Sequence, residues 1–254
     1  MSSIGFASIV LACTFLGALL GIRSHEALPA HHLSSESKDL VRLCMGLIGT
    51  MTALILGLIV ASAKSTFDAQ DSALHAVAAD IVLLDRTLAT FGPEAKPVRD
   101  DLREATRTRI AAAWSSGTSP AATTPGGSTS SAAGERIVQG ILALTPKDDA
   151  QRWYQSQALS IASDALKTRS LSLTGSSSGV STVFLIVITF WLSVLFWSFG
   201  LFAPRNATVI AVVVLASLSV SACVFLILEM QSPFSGILRI SSAPFGLALE
   251  QLGR

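Results

Sequence analysis

The sequence predicts an all-α, polytopic membrane protein with four transmembrane helices and an extramembrane helical domain inserted between helices two and three. Three observations carry this. The chain of 254 residues is 50% hydrophobic and only 14% charged, where a soluble domain carries about 25% charged residues. The charge deficit sits in four uncharged stretches, 1–22, 43–63, 180–203 and 207–228, each close to the ~20 residues a helix needs to cross ~30 Å of hydrocarbon. The polar residues are gathered between the second and third stretches. An unpaired backbone amide in lipid costs several kcal/mol, so only helices or closed barrels span a bilayer. The alternation of barrel strands is absent, which leaves helices.

Each element follows in order. The first stretch lacks a basic leading region and Arg23 follows it, so it reads as a retained span rather than a cleaved signal. With its loop and the second stretch it makes a membrane unit over 1–63. The region 64–179 is the helical domain. No Gly or Pro occurs from Ile59 through Phe91. Phe67, Leu74, Ile81 and Leu88, with Val77, Leu84 and Phe91, repeat every seven residues, the spacing of a helix–helix seam that could assemble subunits as a coiled coil. The second membrane helix therefore continues out of the bilayer as one rod, and 66–91 adds roughly 39 Å at 1.5 Å per residue. Gly92-Pro93 ends it. A second helix is predicted over 94–114. The Ser/Thr/Gly/Pro/Ala tract near 115–134 has little to bury and reads as a disordered loop. Helicity resumes near Glu135. In "TPKDD", Thr145 is the expected cap and Pro146 the first helical residue of a helix that runs to about Leu173. The span hairpin 180–228 turns at "PRNA". The tail 229–254 is too short to cross the bilayer, and is expected to lie along the interface or dock on the helical domain.

Small residues and isolated charges supply the candidate sites. Gly17 and Gly21 in the first span, and Gly49, Ala53, Gly57 and Ala61 in the second, let membrane helices approach closely. They predict a tight hairpin of helices one and two, or a seam between subunits. Four crossings put both termini and the helical domain on one side, so Lys64 and Glu229 end parallel helices at similar depth. They form a candidate charge pair at the membrane boundary, since each is costly there without a partner. Asp85, Arg86, Arg205 and Asn206 are candidate interhelix polar contacts.

Several classes are set aside. His25, His31 and His32 share a loop with acidic residues, but no metal-site spacing occurs, and no cofactor is expected. The cysteines Cys13, Cys44 and Cys223 all fall in apolar stretches and read as small hydrophobes. A net charge of +1 gives no nucleic-acid signal. Gly-rich phosphate loops, HExxH and nucleophile elbows are absent, which argues against an enzyme. The spans hold no Asp, Glu, Lys or Arg, which disfavours a proton-coupled carrier and leaves a passive pore open. The expected partners are the lipid bilayer, further copies of the chain as a homo-oligomer, and inorganic anions. The competing reading is a non-conducting interaction or signalling module acting through the helical domain.

Four blocks, "HHLSSESKDLVRLCMGLIGTMTALILGLIVASAKSTFD", "LLDRTLATFGPEA" followed by Arg99, "FWLSVLFWSFGLFAPRNATV" and "FLILEMQSPFSGILRISSAPF", together resemble a bacterial bestrophin-like membrane family, a domain of unknown function. The resemblance covers nearly the whole chain outside the Ser/Thr-rich tract. It implies kinship with bestrophins, which are pentameric anion channels with four membrane helices per subunit, and hence a multi-pass protein of the bacterial inner membrane. The chain departs from bestrophins in two places. Its second span has no Pro or Phe, where they narrow the pore with an Ile-Pro-Phe-x-Phe stretch. Asp148-Asp149 is the nearest match to their acidic calcium clasp.

Overall fold

The computed structural model describes residues 3–27, 35–114, 128–175, 182–204, 206–232 and 236–253. Every regular element among them is helical: α1 Ser3–Ala27, α2 Ser35–Phe91, α3 Lys96–Trp114, α4 Ser128–Leu142, α5 Asp149–Gly175, α6 Thr182–Phe202, α7 Ala207–Met230 and α8 Ala243–Gln251, with a short 3-10 turn at Pro93–Ala95. Four of these, α1, α2, α6 and α7, are long and apolar enough to cross a membrane. The 57 residues of α2 form one helix, and its apolar portion is long enough to cross a membrane.

The chain divides into two compact units, Met1–Thr66 with Gly179–Gln231, and Phe67–Ser178 with Ser232–Arg254. In the membrane unit α1 packs against both α6 and α7. Large apolar side chains such as Val183, Phe184, Phe190, Leu215 and Leu218 point outward, as expected where lipid is the solvent.

The second unit has its own water-excluding core. Leu74, Val77, Ile81, Leu84, Leu88 and Phe91 of α2 share it with Val98 and Leu102 of α3, Ile137 and Ile141 of α4, Ala158 and Ile161 of α5, and Ile240, Phe245, Ala248 and Leu252 of the tail. The heptad line of α2, expected to assemble subunits, is therefore covered by the chain's own helices.

Local details differ from expectation. Between α2 and the following turn, Gly92 has φ 133°, a conformation closed to other residues without strain. The helix α5 begins at Asp149, not at Pro146. Asp148 is its cap, because its carboxylate accepts the Gln151 amide at 2.6 Å, a stronger anchor than the Thr145 hydroxyl. The helix α4 begins at Ser128, where alanines carry it upstream of Glu135. Residues 115–127 of the Ser/Thr-rich tract, the histidines His31 and His32, and Arg205 lie outside the described residues. The tail takes the second of its expected placements: α8 docks into the helical core through Phe245, Ala248 and Leu252.

Candidate functional site

The membrane unit is held by close backbone approach. A Cβ on Gly21 would stand 2.0 Å from the Trp197 carbonyl oxygen, one on Gly200 2.1 Å from the Ala18 oxygen, and one on Gly17 2.8 Å from the Ser193 oxygen. Those are impossible separations for a methyl group, so α1 and α6 can meet only because these three are glycine. The partner of Gly17 and Gly21 is thus α6, and the expected α1–α2 hairpin through them gives way to an α1–α6 seam. Gly200 was missed in the sequence, although pairing small residues across all four spans would have found it. On its other side α1 takes a hydrogen bond from α7, where the Ser221 hydroxyl donates to the Ala7 carbonyl at 2.7 Å. The Ser217 hydroxyl, one turn earlier, is fully buried without a partner among the described residues.

The membrane portion of α2 is arranged differently. From residue 39 to 66 only Thr52 and Ala63 are buried, and these lie three turns apart on one line of the helix. Two other lines stay open. One is leucine-rich, with Leu43, Leu47, Leu54 and Leu58, the last 70% exposed. The other carries Gly46, Thr50, Ala53, Gly57 and Ala61 and ends on Lys64, all exposed. A Cβ on Gly46, Gly49 or Gly57 would meet nothing within 4 Å. The candidate packing residues of the second span therefore lie open in the single chain.

Lys64 is exposed, whereas Glu229 near the end of α7 is only 3% exposed. A buried carboxylate demands compensation, which makes Glu229 the more constrained of the two. Asn206 precedes α7 in extended conformation without a side-chain cap. Its hydrogen bonds are those of the turn: its amide donates to the Pro204 carbonyl, and its own carbonyl accepts from Val209 and Ile210.

In the helical unit the adjacent Asp85 and Arg86 hold two different elements. Asp85 is 97% buried, with 3% exposure. Arg99 of α3 clamps it in a fork, Nε to Oδ1 at 2.7 Å and Nη2 to Oδ2 at 2.9 Å, the strong bidentate geometry. The Gly253 amide also donates to Oδ2 at 3.1 Å. One carboxylate thus ties α2, α3 and the end of the tail. The hydrogen bonds that it donates to Asp85 hold the Arg99 guanidinium still more firmly protonated. Arg86 points the other way and donates to the Gln251 carboxamide oxygen of α8 at 3.4 Å.

Further contacts close the tail. The Trp114 indole donates to the Ile240 carbonyl at 2.9 Å and packs on Phe245, ring centroids 5.8 Å apart. Arg109 sits over the same ring at 5.3 Å, within cation–π range. At the opposite end of the unit Lys147 pairs with Glu94. Gln151 donates to the last carbonyl of α2 at 2.9 Å, and Gln155 satisfies the α4 end by donating to Ile141 and Leu144. Asp80, half-buried on α2, has its carboxyl pushed above the usual range by burial and by Asp164. Among the described residues no group of three His, Cys, Asp or Glu is placed to hold a metal.

Comparison with known proteins agrees with this architecture. The chain is similar over 97% of its length, and 97% of the other chain, to the crystal structure of a membrane protein P143A, at TM-score 0.66 and 14% identity. At that identity the likeness speaks for the fold alone. No curated protein matches. The Bestrophin-like domain matches residues 12–245, and so the chain belongs to the bestrophin-like family.

Proposed function

We propose that the protein is one subunit of a channel-like homo-oligomer of the bacterial inner membrane that passes small anions. The observation that carries this reading is the state of α2. It is the one span left almost wholly unburied by its own chain, and its open surface is divided into a leucine-rich line and a line of small residues. A helix bordering lipid alone has no need of the second line. Assembled around an axis, Gly46, Thr50, Ala53, Gly57 and Ala61 would leave room for a path with few large side chains, and Lys64 would place positive charge at its end. Membership of the bestrophin-like family supports the same reading. Lys64 and Glu229 form a charge pair at the boundary under this proposal. Charge exchange tests it: Lys64→Glu and Glu229→Lys each impair the protein, and the double variant recovers part of the loss.

The decisive experiment is reconstitution of the purified protein in liposomes with an anion-flux assay, after its oligomeric state has been established in detergent. Flux that falls when Gly57 is replaced by Leu supports the proposal. A stable oligomer without flux refutes it and favours a non-conducting interaction module. That second reading draws on the helical unit, which has a complete core of its own.

A further inference from the structure

We propose that the helical unit carries a binding groove for a single-chain carboxylate amphiphile, a free fatty acid of medium length, between α2 and α8. The groove has a volume of about 400 Å³. Small residues line it, Ala78 and Ala79 on α2 and Ala248 on α8. Its walls include Leu83 and Leu247, which are 49% and 59% exposed. Exposed leucines flanking a depression outside the membrane mark a surface that gains from being covered.

Charge selects the occupant. Arg86 lines one end of the groove and is exposed. Its side-chain partner is the Gln251 oxygen at 3.4 Å, and among the described residues no carboxylate lies within ion-pair distance of it. Because the Gln251 oxygen accepts from Arg86, its amide nitrogen is left as a donor beside the guanidinium. That end therefore offers the Arg86 guanidinium and the Gln251 amide as donors, the chemistry that receives a carboxylate. At the far end, eleven residues back along α2 or roughly 16 Å away, His75 is already engaged with Asp71 at 3.9 Å. An apolar trough with one free cationic end matches a single chain with one anionic head. It is too small for the two chains of a bilayer lipid, and a second copy of this chain would need an acidic residue presented from an apolar helix.

The test uses the full-length protein in detergent with a photoreactive diazirine analogue of decanoic acid, followed by peptide mapping of the labelled sites. Labelling is expected on 75–86 and 244–251, and unlabelled decanoate should compete while decanol does not. Arg86→Gln should weaken labelling about tenfold, the size of one lost charge-assisted hydrogen bond, and Arg86→Lys should recover part of it. Ala79→Trp, which fills the trough from an exposed position, should abolish labelling with the thermal unfolding transition unchanged. Labelling spread over the membrane spans, equal competition by decanol, indifference to both Arg86→Gln and Ala79→Trp, or crosslinks joining two chains through this groove would each overturn the proposal.

Discussion

Replacing Arg99 by Ala should destabilise the helical unit by about 3 kcal/mol, because it strands a carboxylate that folding has already removed from water. Asp85 has 4% of its side chain exposed, and two of its three recorded hydrogen bonds come from Arg99. After the substitution only the Gly253 amide remains among the described residues. The same pair replaced as a unit, Asp85→Leu with Arg99→Leu, should cost far less than the single change, since both desolvation penalties disappear together. The measurement is urea unfolding of the detergent-solubilised full-length protein, followed by Trp fluorescence, for Arg99→Ala, for the singles Asp85→Leu and Arg99→Leu, and for their double. A loss below about 0.5 kcal/mol for Arg99→Ala, the range of an ordinary surface change, would refute the idea that this carboxylate is held by its guanidinium. So would a double variant no more stable than the worse single.

Gly21→Ala should impair folding of the membrane unit by about 1–3 kcal/mol or more, the usual range for overpacking, because its methyl would collide with the Trp197 backbone; accumulation of folded protein and its melting temperature report this. Gly57→Ala should leave the folded chain intact, since nothing lies within 4 Å and helix propensity improves by up to about 1 kcal/mol. Trp114→Phe should cost about 1 kcal/mol through the unpaired Ile240 carbonyl, and should speed protease cleavage ahead of α8. Asp80 gives a pH signature. Its folded carboxyl titrates above the ordinary value, so its stabilising contribution is present below the unfolded pKa and is lost as pH rises through the folded one. Asp80→Asn should therefore raise the melting temperature at about pH 7.5, with the gain vanishing in acid; no gain at neutral pH would count against the burial argument.

Much of the architecture was legible because lipid imposes a strict code. The four spans, the continuous rod through 59–91 and the break at Gly92-Pro93 all follow from charge, length and backbone chemistry. The partners of those elements were less so. A heptad line says that a helix face is covered, not by whom: Leu74, Ile81 and Leu88 read as a helix–helix seam that could assemble subunits, and the chain's own α3, α4, α5 and tail cover them. The stripe of Gly17 and Gly21 gave the same ambiguity, resolved by Gly200 on α6. Asp85 and Arg86 were singled out as an adjacent pair. Their partners, Arg99 and Gln251, lie 14 and 165 residues away, and single-chain spacing does not encode contacts at such separations. At Asp148 a competing cap two residues after Pro146 shifted the helix start, a choice decided by which oxygen reaches a free amide.

The tail's place in the second unit has a consequence for biosynthesis. Ile240, Phe245, Ala248 and Leu252 are translated after α6 and α7, yet they fill the same interior as residues from α2 and α3. The ribosome must have reached Leu252, and α6 and α7 must have been made, before this interior can close. Completion of the aqueous half thus certifies that the greasy half has been made, and a nascent chain stalled before Ile240 would offer quality-control proteases an open hydrophobic face.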